Sequence, residues 1–558
     1  MAEIEVPYQL GNEPKILTAS IFDKNDIEVR KINKKDITSK SDIASGSFYE
    51  DDYVKSWDMS WNTYPYRIKY SYKIVLEEFL NICNYTPYKN WAIPVEKAIL
   101  TVQLPIDFQI NTSTHKTQKV DSIIANELKF YTWEWSNLPP YKKENYSPPI
   151  FESTPRITIT ALKFNYDISG SQATWKDYGH WQHTMHQGLD DLTESEKVII
   201  DNLIEGINGK VEKVGILHSY MQKSTRYVYV GLETGGLKPY PASYVCENKF
   251  GDCKALTNYM QAVLSYCGVP SYQVDVYAGK KPIRLDTKLP SQQFNHVVLA
   301  VPMAGDTLWL ENTSKYLPFD YTGSFIQNRK GLIIKDSASK LVNIPSFDIN
   351  DVLQSRITKV SITDDESILL TTNNTYKGPM YESLLYVKHE YSEKESKDFI
   401  RNILPIQNAV ITNYEIKEPN SKKEVSIIVE SEAQNFLIKA GKLKIIPPLF
   451  FELLDLENPT QRTRPVRMIA PSHIKDTIYI DSPVINKQIS LPETIDVVSE
   501  YGSYYESAAL HDSLIIITRN YQLYANEYDL KQYLGLFQFN KTISEKRKYF
   551  VILIKPNE

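Results

Sequence analysis

The chain has 558 residues, which is too long for a single hydrophobic core and predicts about three or four domains. Its formal net charge of −5 is small for this length, and the densest cationic run, from Arg30 to Lys35, is interrupted and followed by Asp36. These features argue against a nucleic-acid partner and against binding to an anionic membrane.

The first residues, MAEIEVPYQL, contain neither the cationic segment nor the apolar segment of an export signal. We therefore expect a chain that is either cytoplasmic or exported with its signal already removed. No apolar run in the sequence approaches the length needed to span a bilayer, so no transmembrane segment is predicted.

Residues 1–185 are dominated by β-type patterns. Segments such as RIKYSYKIVLEEF, KAILTVQLPIDFQI and PRITITALKFNYDI alternate polar and apolar residues, or are rich in β-branched and aromatic ones. Proline-rich stretches separate these segments, and no helical pattern lies between them. We expect an N-terminal β-sandwich-like domain over this range.

After this region the pattern becomes helical. The segment LTESEKVIIDNLIEGING opens with a capping box formed by Thr193 and Glu196 and continues with helical spacing. Two more helices are predicted, in KVEKVGILHSYMQKS and in DCKALTNYMQAVLSYCG, where Gly268 is placed as a C-terminal stop. Three strand-like runs follow, SYQVDVYAG, FNHVVLAVPM and DTLWLENTS. Helices followed by strands predict an α+β domain over 186–345.

Residues 346–558 return to a β pattern. Runs such as EVSIIVESE, SLIIITRNYQLY and KYFVILIKP are typical of strands, and a single helix is predicted over 380–403. We expect a C-terminal β-rich region and leave open whether it divides into two modules near residue 485. The predicted fold class is therefore multidomain, with a central α+β domain between two β-rich regions.

Cys253 occupies a position that suits a reactive cysteine. It follows Gly251 and Asp252 directly and starts a predicted helix, where unpaired backbone N–H groups and the helix dipole stabilise a thiolate. Gly251 permits a tight turn, Asp252 can cap the helix, and the backbone N–H of Cys253 is the natural first donor to an oxyanion. With four cysteines in the whole chain, no disulfide framework is expected.

A proton carrier and an orienting group follow further along the chain. His296 lies in the predicted strand FNHVVLAV, and the next strand ends in WLENTS, which contains Glu311 and Asn312. Adjacent antiparallel strands can place the imidazole beside either of these side chains, and the set would support acyl transfer by Cys253. On pattern alone, Cys253 can equally be a small buried apolar residue and His296 a core histidine.

Three histidines, His180, His183 and His186, lie close together in GHWQHTMHQG. On a helix the first two share a face while the third points elsewhere, and no cysteine or glutamate completes a ligand set. We therefore predict no metal site here, and because no phosphate-binding glycine-rich motif is found, we expect no cofactor.

The segment RYVYVGLETGGLKPYPASYVCENKFGDCKALTNYMQAVLSYCGV, followed by FNHVVLAVP and WLENTS, resembles the transglutaminase-like (papain-like) cysteine domain. In particular, it resembles large bacterial envelope proteins that place this domain between two β-rich domains. The resemblance covers residues 186–320. The family's nucleophile stands in Gly-Asp-Cys-Lys, matching Cys253; its base stands in a strand that matches His296; and its third member is an Asp that aligns with Glu311.

This resemblance implies acyl transfer on an amide by Cys253, His296 and Glu311. Water as acceptor would give a peptidase or amidase, which the resemblance favours, and a lysine amine would give a crosslinking transglutaminase. Gln222 stands where relatives carry a second oxyanion donor. Glu311 is one methylene longer than the family's Asp, which moves the carboxylate by roughly 1.5 Å on an unchanged backbone. Asn312 therefore stays an alternative orienting group.

The resemblance also implies a peptide or protein substrate, with a cell-wall amide as a further option, and a periplasmic or cell-envelope location. A competing class of function is non-enzymatic: the fold would then be an inactive binding or scaffold module of the envelope, with the β-rich domains making the contacts. The reactivity of the Cys253 thiol separates these two classes.

Overall fold

The protein is multidomain and rich in strands, as predicted. None of the helices in the described part of the chain is long and apolar enough to cross a membrane. The computed structural model describes residues 2–554 apart from residues 10, 42–48, 51, 77–78, 118–120, 232–235, 364–365, 407, 419–422, 435, 448, 450 and 482–488.

The N-terminal region consists of strands that form small sheets. These strands are β1 (Glu3–Gln9), β2 (Lys15–Phe22), β3 (Glu28–Lys31), β4 (Thr38–Ser41), β5 (Tyr49–Glu50), β6 (Asp52–Asp58), β7 (Arg67–Lys73), β8 (Asn81–Tyr85), β9 (Val95–Pro105), β10 (Ile110–His115), β11 (Asp121–Ala125), β12 (Leu128–Leu138), β13 (Arg156–Ala161), β14 (Lys163–Tyr166) and β15 (Ile168–Ser171).

Two separate hydrophobic cores lie within this N-terminal region. Sheets β1-β6-β4 and β3-β2-β7 enclose the first core, which contains Ile21 and Trp57. Sheets β10-β13-β8 and β11-β12-β9 enclose the second, which contains Trp133 and Ile159. The range in which the sequence predicts one β-sandwich-like domain thus contains two sandwich-like units, each with its own buried aromatic residues.

The central region combines helices with a five-stranded sheet and two short two-stranded pairings. Its elements are α1 (Trp175–Met185), α2 (Glu194–Ile204), α3 (Lys210–Ser224), β16 (Arg226–Tyr227), β17 (Val230–Gly231), α4 (Ala242–Asn248), β18 (Phe250–Gly251), α5 (Cys253–Tyr266), β19 (Tyr272–Val276), β20 (His296–Pro302), β21 (Thr307–Leu310), β22 (Lys330–Ile333) and β23 (Lys340–Asn343). The two short pairings are β16 with β18 and β17 with β5.

Helix α5 is the element that positions the candidate nucleophile. Its buried face includes Leu256 and Val263, which belong to the same hydrophobic cluster as Leu299 and Val301 of β20. Gly268, with φ of +70°, follows the last turn and ends the helix as the sequence predicts. The sheet beneath α5 is antiparallel, in the order β21-β20-β19-β22-β23.

The C-terminal region contains the largest sheet. Its elements are β24 (Leu353–Ile362), β25 (Ile368–Tyr376), α6 (Pro379–Glu390), α7 (Glu393–Ile403), β26 (Val410–Lys417), β27 (Val425–Ala433), β28 (Ile438–Ala440), β29 (Leu443–Ile446), β30 (Val466–Met468), β31 (Ser472–Asp481), β32 (Ile489–Ser490), β33 (Ile495–Ser499), β34 (Gly502–His511), β35 (Leu514–Leu523), β36 (Asn526–Tyr528), α8 (Leu530–Arg547) and β37 (Ile552–Ile554).

One sheet, in the order β26-β27-β25-β24-β31-β35-β34-β33, runs through this region. The division considered near residue 485 lies outside the described residues, but strands on both sides of it pair in this sheet and share one hydrophobic cluster. The single helix predicted over 380–403 is wrong. Two helices, α6 and α7, replace it because Ser392 and Glu395 form a capping box that starts a new helix.

Candidate active site

Cys253 is the first residue of α5, and its neighbours define the start of that helix. The Oδ1 atom of Asp252 accepts hydrogen bonds from the backbone N–H groups of Lys254 and Ala255, at 3.0 and 2.9 Å. A Cβ on Gly251 would lie 2.8 Å from the Cβ of Ala255, which is too close. Gly251 is therefore needed because a larger residue would collide with Ala255. The sequence alone had instead suggested a tight turn as the reason for this glycine.

Two charged features lie near the Cys253 thiol, the N-terminus of α5 and the ion pair of Lys254 with Asp252. As the first helical residue, Cys253 has a backbone N–H without an acceptor inside the helix. The ammonium group of Lys254 is largely buried and lies 2.5 Å from Oδ2 of Asp252. Burial lowers the pKa of Lys254, but the charges of Asp252 and Cys253 outweigh this effect and raise it overall. The helix N-terminus thus favours a thiolate at Cys253, while the Lys254 cation is balanced by its ion pair with Asp252.

His296 and Glu311 form a buried pair. His296 opens β20, Glu311 follows β21, and these two strands pair antiparallel. The Nε2 atom of His296 lies 2.8 Å from Oε2 of Glu311, and the two side chains are 11% and 1% exposed. The other carboxylate oxygen accepts the backbone N–H of Thr313 at 2.8 Å and also its hydroxyl. Both oxygens of Glu311 are therefore engaged, which fixes the carboxylate.

The protonation of this pair favours a charged imidazole. Burial lowers the pKa of His296, but the charge of Glu311 and the hydrogen bonds with Cys253 and Glu311 outweigh it and raise that pKa to about 10. Burial raises the pKa of Glu311. The charge and hydrogen bond of His296, together with the hydrogen bonds from Thr313, outweigh burial and lower this pKa overall. At neutral pH the stable state is an imidazolium held by a carboxylate.

Cys253 also acts on the imidazole, because its side chain contributes to the raised pKa of His296. Because Nε2 of His296 faces Glu311, Nδ1 is the ring nitrogen available to Cys253. The ring of Phe325 lies edge-on to the imidazole, with centroids 5.7 Å apart. Cys253 itself is only 7% exposed. The structure therefore brings Cys253, His296 and Glu311 together in a largely buried site.

Asn312, the alternative orienting group, points elsewhere. Its Nδ2 atom donates to the hydroxyl of Thr257 at 3.0 Å, and Thr257 lies on α5. The amide thus joins the segment after β21 to the helix that carries Cys253. The contact with His296 is made by Glu311, so the longer glutamate side chain reaches the imidazole without help from Asn312.

Gln222 does not offer a free donor to the site. Its Nε2 atom donates to the backbone carbonyls of Ser314 at 2.8 Å and of Leu317 at 2.7 Å. An amide nitrogen has two hydrogens, so both are occupied. The expectation of a second oxyanion donor at Gln222 is therefore corrected: this side chain holds the segment that follows Glu311.

Tyr227 is a neighbour of the site that the sequence did not single out. Strand β16 pairs in parallel with β18, which places Tyr227 opposite Gly251. Burial, followed by the charges of Cys253 and Asp252, raises the pKa of Tyr227. Its hydroxyl thus stays protonated at neutral pH and can donate a hydrogen bond. The phenol is 40% exposed, so it lies at the surface of the site.

The three clustered histidines do not converge on one point. His180 lies on α1 and its Nδ1 atom is 2.9 Å from Oδ1 of Asp336. His186 follows α1, and burial lowers its pKa to about 4. Among the described residues, no group of three or more His, Cys, Asp or Glu side chains is arranged to hold a metal ion.

Comparison with known proteins places the fold among solved structures. Residues 1–142 match a domain of unknown function with a solved structure, DUF3857, and residues 442–553 match another, DUF3858. None of the curated proteins matches this chain. The chain is similar to the crystal structure of a "putative protease" from Parabacteroides distasonis, with 13% identity and a TM-score of 0.63, over 100% of this chain and 92% of that one.

A second solved structure, a "putative cysteine protease" from Cytophaga hutchinsonii, matches with 9% identity over 61% of this chain and 84% of that chain. Its TM-score of 0.20 is too low for a shared fold. The Parabacteroides distasonis structure, in contrast, shows that the fold of the whole chain recurs in another protein.

Proposed function

We propose that this protein is a cysteine-dependent hydrolase of peptide or other amide bonds, with Cys253, His296 and Glu311 as its catalytic groups. The observation that carries this proposal is the convergence of a helix-terminal thiol with a buried imidazole–carboxylate pair. The similarity of the fold to a protein described as a "putative protease" supports the same class.

In the first half of the reaction, the thiolate of Cys253 attacks the carbonyl carbon of the scissile amide. The backbone N–H of Cys253 and the hydroxyl of Tyr227 donate to the oxyanion that develops. The tetrahedral intermediate collapses, the C–N bond breaks, and the Nδ1 proton of His296 goes to the departing amine. A thioester on Cys253 and a neutral imidazole remain.

In the second half, the neutral His296 accepts a proton from a water molecule as its oxygen attacks the thioester carbonyl. The C–S bond then breaks, the carboxylic acid leaves, and the thiolate–imidazolium pair is restored. Glu311 stays ionised throughout and holds the imidazole in position through Nε2. Thr313 in turn fixes the Glu311 carboxylate.

Water is the favoured acceptor because the resemblance of the cysteine domain favours a hydrolase over a crosslinking enzyme. A peptide or cell-wall amide as substrate, and a periplasmic or cell-envelope location, belong to the same proposal. They follow from the resemblance of the cysteine domain to that of bacterial envelope proteins.

The proposal is tested by incubating the wild-type protein and a Cys253→Ala variant with peptide mixtures and with cell-wall peptide fragments, and identifying products by mass spectrometry. We expect new termini with the wild type and none with Cys253→Ala. A Cys267→Ser variant is the matched control, because Cys267 lies at the other end of α5, and it should retain activity. Cleavage that persists in Cys253→Ala would contradict the proposed mechanism.

A further inference from the structure

A cavity of about 570 Å³ lies between the sheet of the central region and the C-terminal region. Four cationic side chains line it, and Glu527 is the one anionic side chain among its lining residues. The cationic side chains are Arg284, Arg329, Lys330 and Arg467.

Two of these four cations are paired with carboxylates. Arg467 contacts Glu152 at 2.6 Å and Glu527 at 2.9 Å. Arg284 contacts the same oxygen of Glu527 at 2.6 Å. These two arginines and two carboxylates balance in charge, and they join the N-terminal, central and C-terminal regions at one wall of the cavity.

Among the described residues, no carboxylate pairs with either of the other two cations, of which Arg329 is buried and Lys330 is exposed. The guanidinium of Arg329 donates to the backbone carbonyls of Tyr277 and Gly279, and in the described part of the chain no carboxylate pairs with it. Lys330 donates to the amide oxygen of Asn343 at 2.9 Å. Arg329 is 7% exposed. Burying a charge without a counter-charge is costly, which indicates that an anion completes this cavity.

Arg329 remains a cation under ordinary conditions. Burial lowers its pKa, and the nearby Tyr277 raises it only in part, so that the pKa is about 10. The guanidinium is thus charged at neutral pH. The two arginines and two carboxylates at the wall of the cavity cancel in charge. Arg329 and Lys330 therefore give the cavity two positive charges that no carboxylate of the described residues balances.

The cavity and the candidate active site share one end of the central sheet. His296 pairs with Val276, and Val276 pairs with Gly331, which follows Lys330. Neighbouring strands are about 4.8 Å apart, so the Cα atoms of His296 and Gly331 are roughly 10 Å apart. An extended peptide covers this distance in about three residues.

The loop that holds Arg329 is also tied to the catalytic histidine. Asn295, which precedes His296, accepts the backbone N–H of Ala278 at 2.6 Å and donates to the carbonyl of Ala278 at 3.0 Å. The carbonyl of Gly279, next in this loop, accepts a hydrogen bond from Arg329. A group bound at the cavity therefore lies in a defined position relative to the nucleophile.

We propose that this cavity is a subsite for a carboxylate of the substrate whose amide bond Cys253 attacks. This proposal rests on the proposed function and narrows its substrate to peptides with a carboxylate. The carboxylate is supplied either by the C-terminus of the peptide or by an acidic side chain, and both sources offer the same chemistry to Arg329 and Lys330.

The test uses the Cys253→Ala variant, so that binding is measured without turnover. Fluorescent hexapeptides are compared in two matched pairs, a free C-terminus against a C-terminal amide and an internal Glu against Gln. We expect the carboxylate member of one pair to bind roughly tenfold more tightly. That preference should be lost when Lys330→Gln is added and kept when Lys340→Gln is added, since Lys340 is exposed on β23 outside the cavity. The pair that responds identifies the source of the carboxylate.

Equal binding within both pairs, absence of binding by any of these peptides, or a preference unchanged by Lys330→Gln would each overturn the subsite. Turnover by the wild type separates this outcome from the proposed chemistry. Hydrolysis without any carboxylate preference removes the subsite and keeps the hydrolase. Carboxylate-selective binding without hydrolysis of the bound peptide keeps the subsite and removes the hydrolase.

Discussion

Two of the buried ionic networks in this protein differ in composition. In the C-terminal sheet, Arg519 is 3% exposed and contacts Asp476 at 2.7 Å and Glu506 at 2.5 Å. Asp476 is also paired with Arg356, at 2.5 Å. These groups lie on β24, β31, β34 and β35, so this network joins neighbouring strands of one sheet.

The network of the central region contains an imidazole, which can carry a proton during a reaction. His296 contacts Glu311 at 2.8 Å, and both Glu311 and Cys253 raise its pKa. An arginine stays charged at every physiological pH, whereas an imidazole beside a thiol can give up and recover its proton. Buried charge alone therefore does not indicate a functional site, whereas a proton carrier next to a nucleophile makes a site a candidate for catalysis. We expect substitutions in the C-terminal network to change stability and substitutions in the central network to change activity.

The largest effect is expected from His296→Gln. Glutamine retains a donor for Glu311 but cannot carry a proton, so kcat for amide hydrolysis should fall by about 10⁴-fold. Steady-state kinetics measures this loss, and thermal unfolding of the same sample checks that the fold is intact. A variant with wild-type kcat would remove His296 from the mechanism.

In the other network, Arg519→Met should destabilise the fold instead of the reaction. It leaves Glu506 and Asp476 buried without their shared partner, at a cost of about 3–5 kcal/mol. Urea unfolding of the C-terminal region measures this change. The rate at which Cys253 reacts in the folded fraction should stay the same, and a large drop in that rate would show that the two networks are coupled.

Tyr227→Phe removes only the hydroxyl that we assign to the oxyanion. Loss of one such donor lowers kcat by roughly 10²–10³-fold. The matched control is Tyr266→Phe, which removes an exposed hydroxyl bound to Asp201 at the other end of α5 and should change kcat by less than about threefold. If Tyr227→Phe has no larger effect than Tyr266→Phe, Tyr227 is not an oxyanion donor.

Much of the candidate site was accessible from the sequence because its signals are local. Cys253 follows Gly251 and Asp252 at a recognisable helix start, and β20 and β21 follow one another so closely that their pairing could be expected. That pairing brings His296 beside Glu311. Local patterns of this kind depend on helix capping and on the pairing of consecutive strands, and both can be predicted from a sequence.

Features that depend on contacts between residues far apart in the chain could not be predicted from the sequence. The pairing of Tyr227 with Gly251 joins strands of two residues each, which are too short to carry a pattern. The partners of Gln222 lie in a loop far along the chain. The two N-terminal cores likewise depend on which strands pair, and alternation within a strand does not specify its partner.

Glu311→Asp tests whether catalysis depends on the length of this side chain, which sets the position of the carboxylate beside His296. Shortening it withdraws the carboxylate by roughly 1.5 Å. A displacement of this size near a reacting group can cost about 100-fold in rate, and we expect a loss of that order in kcat. Glu194→Asp is the matched control, since Glu194 is exposed on α2 and pairs with Lys197 and not with His296. Equal activity of Glu311→Asp and wild type would show that the strand adjusts to the shorter side chain.

The smallest effect concerns pH. The pKa of His296 is raised to about 10, so the protonated, paired form is complete below its ordinary value and is lost as the pH rises through about 10. Activity that needs the imidazolium should fall about tenfold per pH unit above that value. Unfolding of the C-terminal network should show no such transition, because its cations are arginines. A loss of activity centred near pH 6.5 would contradict the strong pairing with Glu311.

The most direct measurement is the rate at which iodoacetamide modifies Cys253 at pH 6, followed by mass spectrometry with Cys246 and Cys267 of the same chain as references. If sulfur and imidazole form an ion pair, Cys253 should react far faster than both references, and His296→Gln should abolish that advantage. Should Cys253 react no faster than Cys267, or react equally fast without the imidazole, the proposed acyl-transfer site does not exist.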